Sequence, residues 1–365
     1  MKSKKEISDF YISLQEDHHV EKSTVNEKNR IIIHESRHPI SALSTIESFV
    51  DEINQSNSVA FDDSSTIIKT APARGNRLEG YYWKINECLD AYSERFVYSP
   101  KVEAFYQACE KIGIDPRFMS FGKSTEVCLP DGKTTNAQVF NELIKVIRSI
   151  CHSNSYQRKL QGHQRNALRR KAKVLTWESE LFRWRSRHLV ISLTLSYKEQ
   201  FRSVTTLELI QEHLKNLLNN RRNNKLLKGI NGYVWKIEDG ISVGLHVHLL
   251  IAYSTQTNQD ILVAEKIGQY WEAFITDGQG QYWNSNKNPK RYETLGHGIG
   301  VGQINHNDAE RRDALRKNLE YLMKADQHLK QKGCARTHTI AMSRIPERSN
   351  AGRTRKDINP CQEAR

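Results

Sequence analysis

The chain holds little of what a membrane or secreted protein needs. No apolar run approaches the eighteen or more residues of a membrane helix. Met1-Lys2-Ser3-Lys4-Lys5-Glu6 leads into no apolar stretch, so no secretory signal is expected. The six cysteines, Cys88, Cys109, Cys128, Cys151, Cys334 and Cys361, are scattered and form no Cys-x-x-Cys. That excludes a disulfide scaffold and the usual zinc knuckles, and fits a reducing cytosol. A phosphate-binding loop is missing as well. Gly122-Lys123-Ser124 and Gly132-Lys133-Thr134 end like one, but Arg117 and Val127 stand where the earlier glycine must be. Both read as turns, and no nucleoside-triphosphate site is expected. The expectation is a cytoplasmic protein.

Acidic residues are too few to balance the basic ones: 55 Lys and Arg stand against 42 Asp and Glu, a formal charge of +13. The excess is unevenly placed. Residues 1–150 hold 19 basic and 22 acidic side chains, a balance of −3, and residues 151–365 hold 36 and 20, a balance of +16. Nucleic acid is the natural partner for such a surface. A membrane surface is the rival, but no strongly amphipathic basic helix with an aromatic-rich apolar face is present.

Residues 1–175 read as a mainly helical region of unknown role, with helical spacing over Ile40–Ile53 and Val102–Ile112. It ends in a basic linker, Tyr156–Lys173, which carries seven Lys or Arg including Arg169-Arg170-Lys171. That stretch is either a solvated face or a contact to a DNA backbone. Residues 176–335 change to mixed α and β. Strands are predicted at Arg187–Tyr197, Gly232–Glu238, Gly244–Tyr253 and near Ile299–Asn305. Helices are predicted at Thr205–Asn219, with a Thr205-x-x-Glu208 capping box, around Ile261–Thr276, and at Asp308–Gln331. Asp277–Gly298 reads as a loop. The order β-α-β-β-α-β-α implies an α+β fold, an antiparallel sheet with helices on one face, of ferredoxin or RRM-like kind. Residues 336–365 read as a basic, flexible tail.

Chemistry concentrates at His246-Val247-His248, the only His-x-His in the chain. On a strand both imidazoles project from one face, while Leu245, Val247, Leu249 and Ile251 project from the other. Glu238 on the preceding strand would complete a mixed nitrogen–oxygen site suited to Mg²⁺ or Mn²⁺. A tight turn at Asp239-Gly240 would instead set Tyr233 opposite His246; a looser loop through Val243 brings Glu238 there. His297 is the fallback third ligand, and two surface histidines without an ion are the plain alternative.

The second element is Tyr321-Leu322-Met323-Lys324. Tyr-x-x-Lys alone is uninformative, since it recurs from Tyr81, Tyr98, Tyr156 and Tyr233. Position separates them. Leu315, Leu319, Leu322 and Leu329 fall within about 40° on a helical wheel, and Tyr321 lies off that stripe beside Lys317, Lys324 and His328. Asp326 lies on the leucine side and has no assigned role. Trp235, Trp271, Tyr282 and Trp283 are candidates to stack unpaired bases, or else core residues.

Together these residues resemble a family. A His-hydrophobic-His strand followed by a helix bearing Tyr-x-x-Lys is similar to the Rep class of HUH endonucleases, which start rolling-circle replication. More closely, Trp235–Ile251 with Asn318–Lys330 looks like the inovirus replication-protein family that includes the YagK/YfjJ C-terminal domain, and Ser192–Tyr197 resembles that family's first motif strand. The likeness covers roughly residues 180–345. It implies metal-dependent, strand-specific nicking and joining of single-stranded or hairpin origin DNA through a 5′-phosphotyrosine, with a host helicase and polymerase as partners. It implies Tyr321 as nucleophile, with Lys324 as its helper, and Glu238, His246 and His248 as metal ligands. The basic charge, apart from the resemblance, puts Arg169, Arg170, Lys171 and Lys317 forward as DNA contacts. Ala325 stands where a two-tyrosine initiator has its second tyrosine, so the chain reads as single-tyrosine. The alternative is a non-catalytic DNA-binding regulator on the same fold. A cupin-like metal enzyme is disfavoured by the long helices.

Overall fold

The computed structural model of the chain describes residues 21–23, 30–32, 39–61, 77–94, 96–116, 119–127, 133–240, 243–254, 257–290, 297–324, 329–331 and 339–346. Two short strands, β1 (Glu21–Ser23) and β2 (Arg30–Ile32), pair antiparallel. Helices α1 (Pro39–Gln55), α2 (Glu79–Tyr82) and α3 (Ile85–Asp90) precede a strand, β3 (Phe96–Tyr98). Helices α4 (Pro100–Lys111) and α5 (Asn136–His152) follow. Their starts are chemically specified. Ser99 caps α4 with Pro100 at its first turn, and Thr135 and Gln138 form a capping box on α5. Phe49, Tyr82, Phe105 and Phe140 sit at the centre of one hydrophobic core that extends to Tyr156. Cys88, Cys109 and Cys151 are buried in it as free thiols, and burial pushes the Cys88 thiol up to about 12.

Ser153 caps α6 (Asn154–Trp184), a helix of 31 residues that contains the whole basic stretch expected as a linker. Its exposed first half is polar. Its second half buries Val174, Trp177, Leu181 and Phe182 against the sheet, so the segment joins the two cores as continuous helix. Strand β4 (Arg187–Tyr197), the short α7 (Glu199–Arg202) and α8 (Leu207–Asn219) come next. The cap of α8 is Thr206, whose side chain accepts from the Leu209 N–H, one residue later than the expected capping box. The hairpin β5 (Ile230–Gly240) and β6 (Gly244–Tyr253) is followed by α9 (Asp260–Tyr270), which continues as a π-helical turn, Trp271–Ile275. Strand β7 (Gly280–Asn284) lies in the region expected as a loop, because its five residues pair with β4. Strand β8 (Gly302–Asn305) precedes α10 (Ala309–Lys324). The expected helix to Gln331 is shorter: Leu329–Gln331 is a strand, β9, that pairs with β3. Asp326 and His328 lie outside the described residues.

The sheet runs β10-β5-β6-β4-β7, with β8 also on β4, and every pairing is antiparallel. Its edge strand β10 (Ile340–Met342) falls in the segment expected to be a flexible tail; it is held by the ladder to β5 and by the Trp177 indole N–H donating to the Ser343 carbonyl at 3.0 Å. Residues 347–365 lie outside the described part.

The expectation of helices on one face is corrected. Leu189, Ile191, Leu193, Leu195, Val247, Leu249 and Ile251 face α8 and α9. Val190, Val234, Leu250 and Ala252 face α6 and α10. Strands covered on both sides must be apolar on both faces, and the unbroken apolar run of β6 beyond His248 meets that demand. The result is an open antiparallel sheet in a mixed α/β chain. Among the described residues, no helix is long and apolar enough to cross a membrane.

Candidate metal centre

The β5–β6 hairpin closes on a Gly240–Gly244 pair, the looser of the two geometries open to it. Gly244 has φ +68, a conformation that costs a side-chain-bearing residue but not glycine. This register sets Glu238 opposite His246 and Lys236 opposite His248. Thr194 on β4 flanks His248 from the other side. All five side chains stand on one face of the sheet, the face on which Val234 and Leu250 pack against α6 and α10.

Glu238, His246 and His248 bring one ligand atom each within 4.8 Å of one another. His248 Nε2 is 3.1 Å from Glu238 Oε2 and 3.2 Å from His246 Nε2, and His246 Nε2 is 3.7 Å from the same Oε2. His246 Nδ1 lies 2.9 Å from the Gly244 carbonyl. A carbonyl only accepts, so Nδ1 carries the proton and Nε2 offers its lone pair to the cluster. His248 Nδ1 lies 3.3 Å from the Thr194 hydroxyl, which orients the second ring without selecting its tautomer, since a hydroxyl both donates and accepts. His246 is buried, while His248 and Glu238 retain a little exposure, so the cluster opens to solvent on one side.

Sequence reading missed Lys236. Its side chain is 1% exposed, and its ammonium bonds Glu238 Oε1. Residue parity carried the signal, since positions 236 and 238 of a strand share a face. Burial would raise the Glu238 pKa, but Lys236 and then the two imidazoles override it and hold the carboxyl well below the usual range. With Oε1 held by the ammonium, Oε2 is the atom turned to the histidines. Two neutral imidazole nitrogens and one carboxylate oxygen fit a borderline or hard divalent ion with open positions.

His297 is not part of this cluster. Its ring meets the Tyr321 ring edge-on at 5.2 Å between centroids, and its Nδ1 lies 3.1 Å from Asn318 Oδ1. Tyr321 is half-buried in the last turn of α10, beside the buried Leu322 and Met323. Lys324 is the final residue of that helix, and its side chain lies outside the described part. The other Tyr-x-x-Lys tyrosines serve the fold. Tyr81, Tyr98 and Tyr156 pack in or against the N-terminal core, and Tyr233 lies under the Arg221 guanidinium at 5.5 Å.

A buried carboxylate anchors the helix of Tyr321. Glu178 on α6 is 0% exposed and receives Arg312 through two bonds, of 2.8 and 3.1 Å, and Arg316 through one of 2.9 Å. The expected DNA-contacting residues divide. Arg169 is exposed and Arg170 half-buried on α6. Lys171 pairs with Glu320 at 2.7 Å, which sets the basic stretch beside the residue preceding Tyr321. Lys317 pairs with Asp313 at 2.8 Å. No family model matches the chain, and no curated protein or solved structure matches it.

Proposed function

We propose that this protein nicks and rejoins single-stranded DNA through Tyr321 at a divalent-metal centre formed by Glu238, His246 and His248, and so starts rolling-circle replication of a mobile element. The reading rests on one observation: the cluster of two imidazoles and a carboxylate stands on the sheet face against which the tyrosine-bearing helix α10 packs. Its resemblance to the Rep class of HUH endonucleases supports the same assignment. A bound Mg²⁺ or Mn²⁺ supplies Lewis-acid polarisation of the phosphate oxygens.

The chain's own residues carry the rest. Tyr321 Oη forms a bond to phosphorus as the bond from phosphorus to the 3′-oxygen breaks. The products are a 5′-phosphotyrosine and, after protonation from solvent, a free 3′-hydroxyl. The reverse attack rejoins the strand, with no external energy source. An ordinary phenol has a pKa of about 10 and is a weak nucleophile at neutral pH. A cation near it favours the phenolate, the role proposed for Lys324. Arg169, Arg170 and Lys171 on α6 and Lys317 on α10 would take phosphates, Lys171 and Lys317 in exchange for Glu320 and Asp313.

The test is a denaturing gel of the full chain with labelled single-stranded DNA from beside its own gene, in Mn²⁺ and in chelator. A covalent protein–DNA band is expected only with metal. Tyr321→Phe abolishes the band and keeps DNA binding. His246→Ala with His248→Ala abolishes it and removes Mn²⁺ binding. Persistent attachment in Tyr321→Phe moves the nucleophile elsewhere, and persistent cleavage in the double mutant removes the centre from the reaction.

A further inference from the structure

Four aromatic side chains, Trp235, Trp271, Tyr282 and Trp283, were candidates to stack bases, and their environments separate them. Trp271 is fully buried, with its indole N–H donating to the Ser196 carbonyl at 3.2 Å. Tyr282 and Trp235 pack against the core under α8 and α9, on the opposite face of the sheet, and the Tyr282 hydroxyl donates to Glu265 Oε1 at 2.5 Å. Trp283 differs. It pairs in register with Thr194, which pairs with His248, which pairs with Lys236. One cross-strand row therefore runs Trp283, Thr194, His248, Lys236 over β7, β4, β6 and β5. The indole stands on the metal-centre face, two strand spacings or about 10 Å from His248.

That row is open where Trp283 sits. Thr194 and Ser192 are half-buried, and Trp283 is 42% exposed on β7, which ends this side of the sheet. An indole left in water forgoes the hydrophobic stabilisation that burial would give it, and its neighbours Tyr282 and Asn284 have already turned inward. The surrounding half of the chain carries the +16 balance, so a polyanion is the complementary partner. A polyanion with flat apolar faces is a nucleic acid strand with unpaired bases.

We propose that Trp283 is the stacking platform for an unpaired base flanking the phosphate held at the metal centre. This rests on the nickase reading above and adds the seat of the single strand. Stacking on an exposed indole is indifferent to base identity, so Trp283 contributes affinity and register. Sequence preference must come from other residues.

The experiment is anisotropy of a fluorescein-labelled oligothymidylate with the full chain at low salt in chelator, which isolates binding from metal and from Tyr321. Wild type binds. Trp283→Ala weakens binding roughly five- to hundredfold, the range measured for loss of one stacked base. Trp283→Leu, which keeps apolar bulk without a π-face, weakens it similarly, and Trp283→Phe retains most of it. Trp83→Ala, at a tryptophan 71% exposed in the N-terminal region, changes nothing. Unchanged binding in Trp283→Ala and Trp283→Leu overturns the platform and leaves the nickase reading standing. Equal losses in Trp83→Ala and Trp283→Ala overturn it too. Absence of wild-type binding overturns the nickase reading itself, and the platform with it.

Discussion

Lys236 places its ammonium almost out of solvent against a carboxylate that also faces two imidazoles. Removing one partner of a buried pair leaves the other uncompensated, at a cost of about 3–5 kcal/mol. Lys236→Met should therefore lower stability in chelator by that order, as read from urea melts. A divalent cation can then take over the neutralisation of Glu238, so Mn²⁺ should raise the Tm of Lys236→Met by more than it raises that of wild type. An equal rise in both would show that Lys236 and the metal do not share the carboxylate. Glu238 also sets a pH dependence. Its folded-state pKa lies below the ordinary carboxylate value, so its stabilisation is complete above about pH 4.3 and is lost as pH falls through the folded value. In chelator, the stability gap between wild type and Glu238→Gln should be widest near neutrality and shrink towards pH 3; a constant gap refutes the assignment. Alternation on a strand put the two imidazoles on one face in advance, whereas Glu238 joined them only on condition that the hairpin closed through its looser loop, as it does. The lysine beside them escaped because a Lys within a strand reads as surface until its pairing is known.

At the scale of elements, α6 and α10 form the unit that presents Tyr321. The fully buried Glu178 accepts from Arg312 and Arg316, and Arg312 also lies over the Phe182 ring at 4.7 Å. Glu178→Ala strands two guanidinium groups in a half-buried interface. The expected loss is about 3–5 kcal/mol in urea denaturation. Under the proposed nicking reaction, covalent attachment to DNA falls further than DNA binding, because that reaction needs α10 in place. A loss below about 1 kcal/mol would mean that apolar packing alone sets the helix. Elements with strong local patterns were legible: β4 and β6 by their β-branched and aromatic runs, and α1 and α8 by three- and four-residue spacing. The misread ones draw stability from distant pairing. Strand β10 pairs with residues more than 100 positions earlier, and β9 pairs with β3 across more than 230. Three residues carry too little pattern to announce such partners. Helix α6 was taken for a linker because its polar first half hid the Val174, Trp177, Leu181 stripe that continues it.

Across the whole molecule, charge and architecture divide at nearly the same place. The N-terminal core, with its −3 balance, ends at Tyr156, and the +16 balance begins with α6 and continues through the sheet and α10. Single-strand binding by such a surface is driven by counterion release, so log affinity should fall linearly with log salt, with a slope near −0.7 per phosphate neutralised. Oligothymidylate affinity measured from 50 to 200 mM salt should therefore drop by orders of magnitude for wild type. The residues responsible can be counted in the slope. Arg169→Gln, Arg170→Gln and Lys171→Gln together should flatten it by up to about 2, and by less if Lys171 stays with Glu320 when DNA is bound. Trp283→Ala, in contrast, should lower affinity at every salt concentration and leave the slope alone, because stacking releases no ions. If the triple variant keeps the wild-type slope, the phosphate grip lies off α6. The strand must then reach the cluster from the sheet side, past β7, rather than along the helix beside Tyr321.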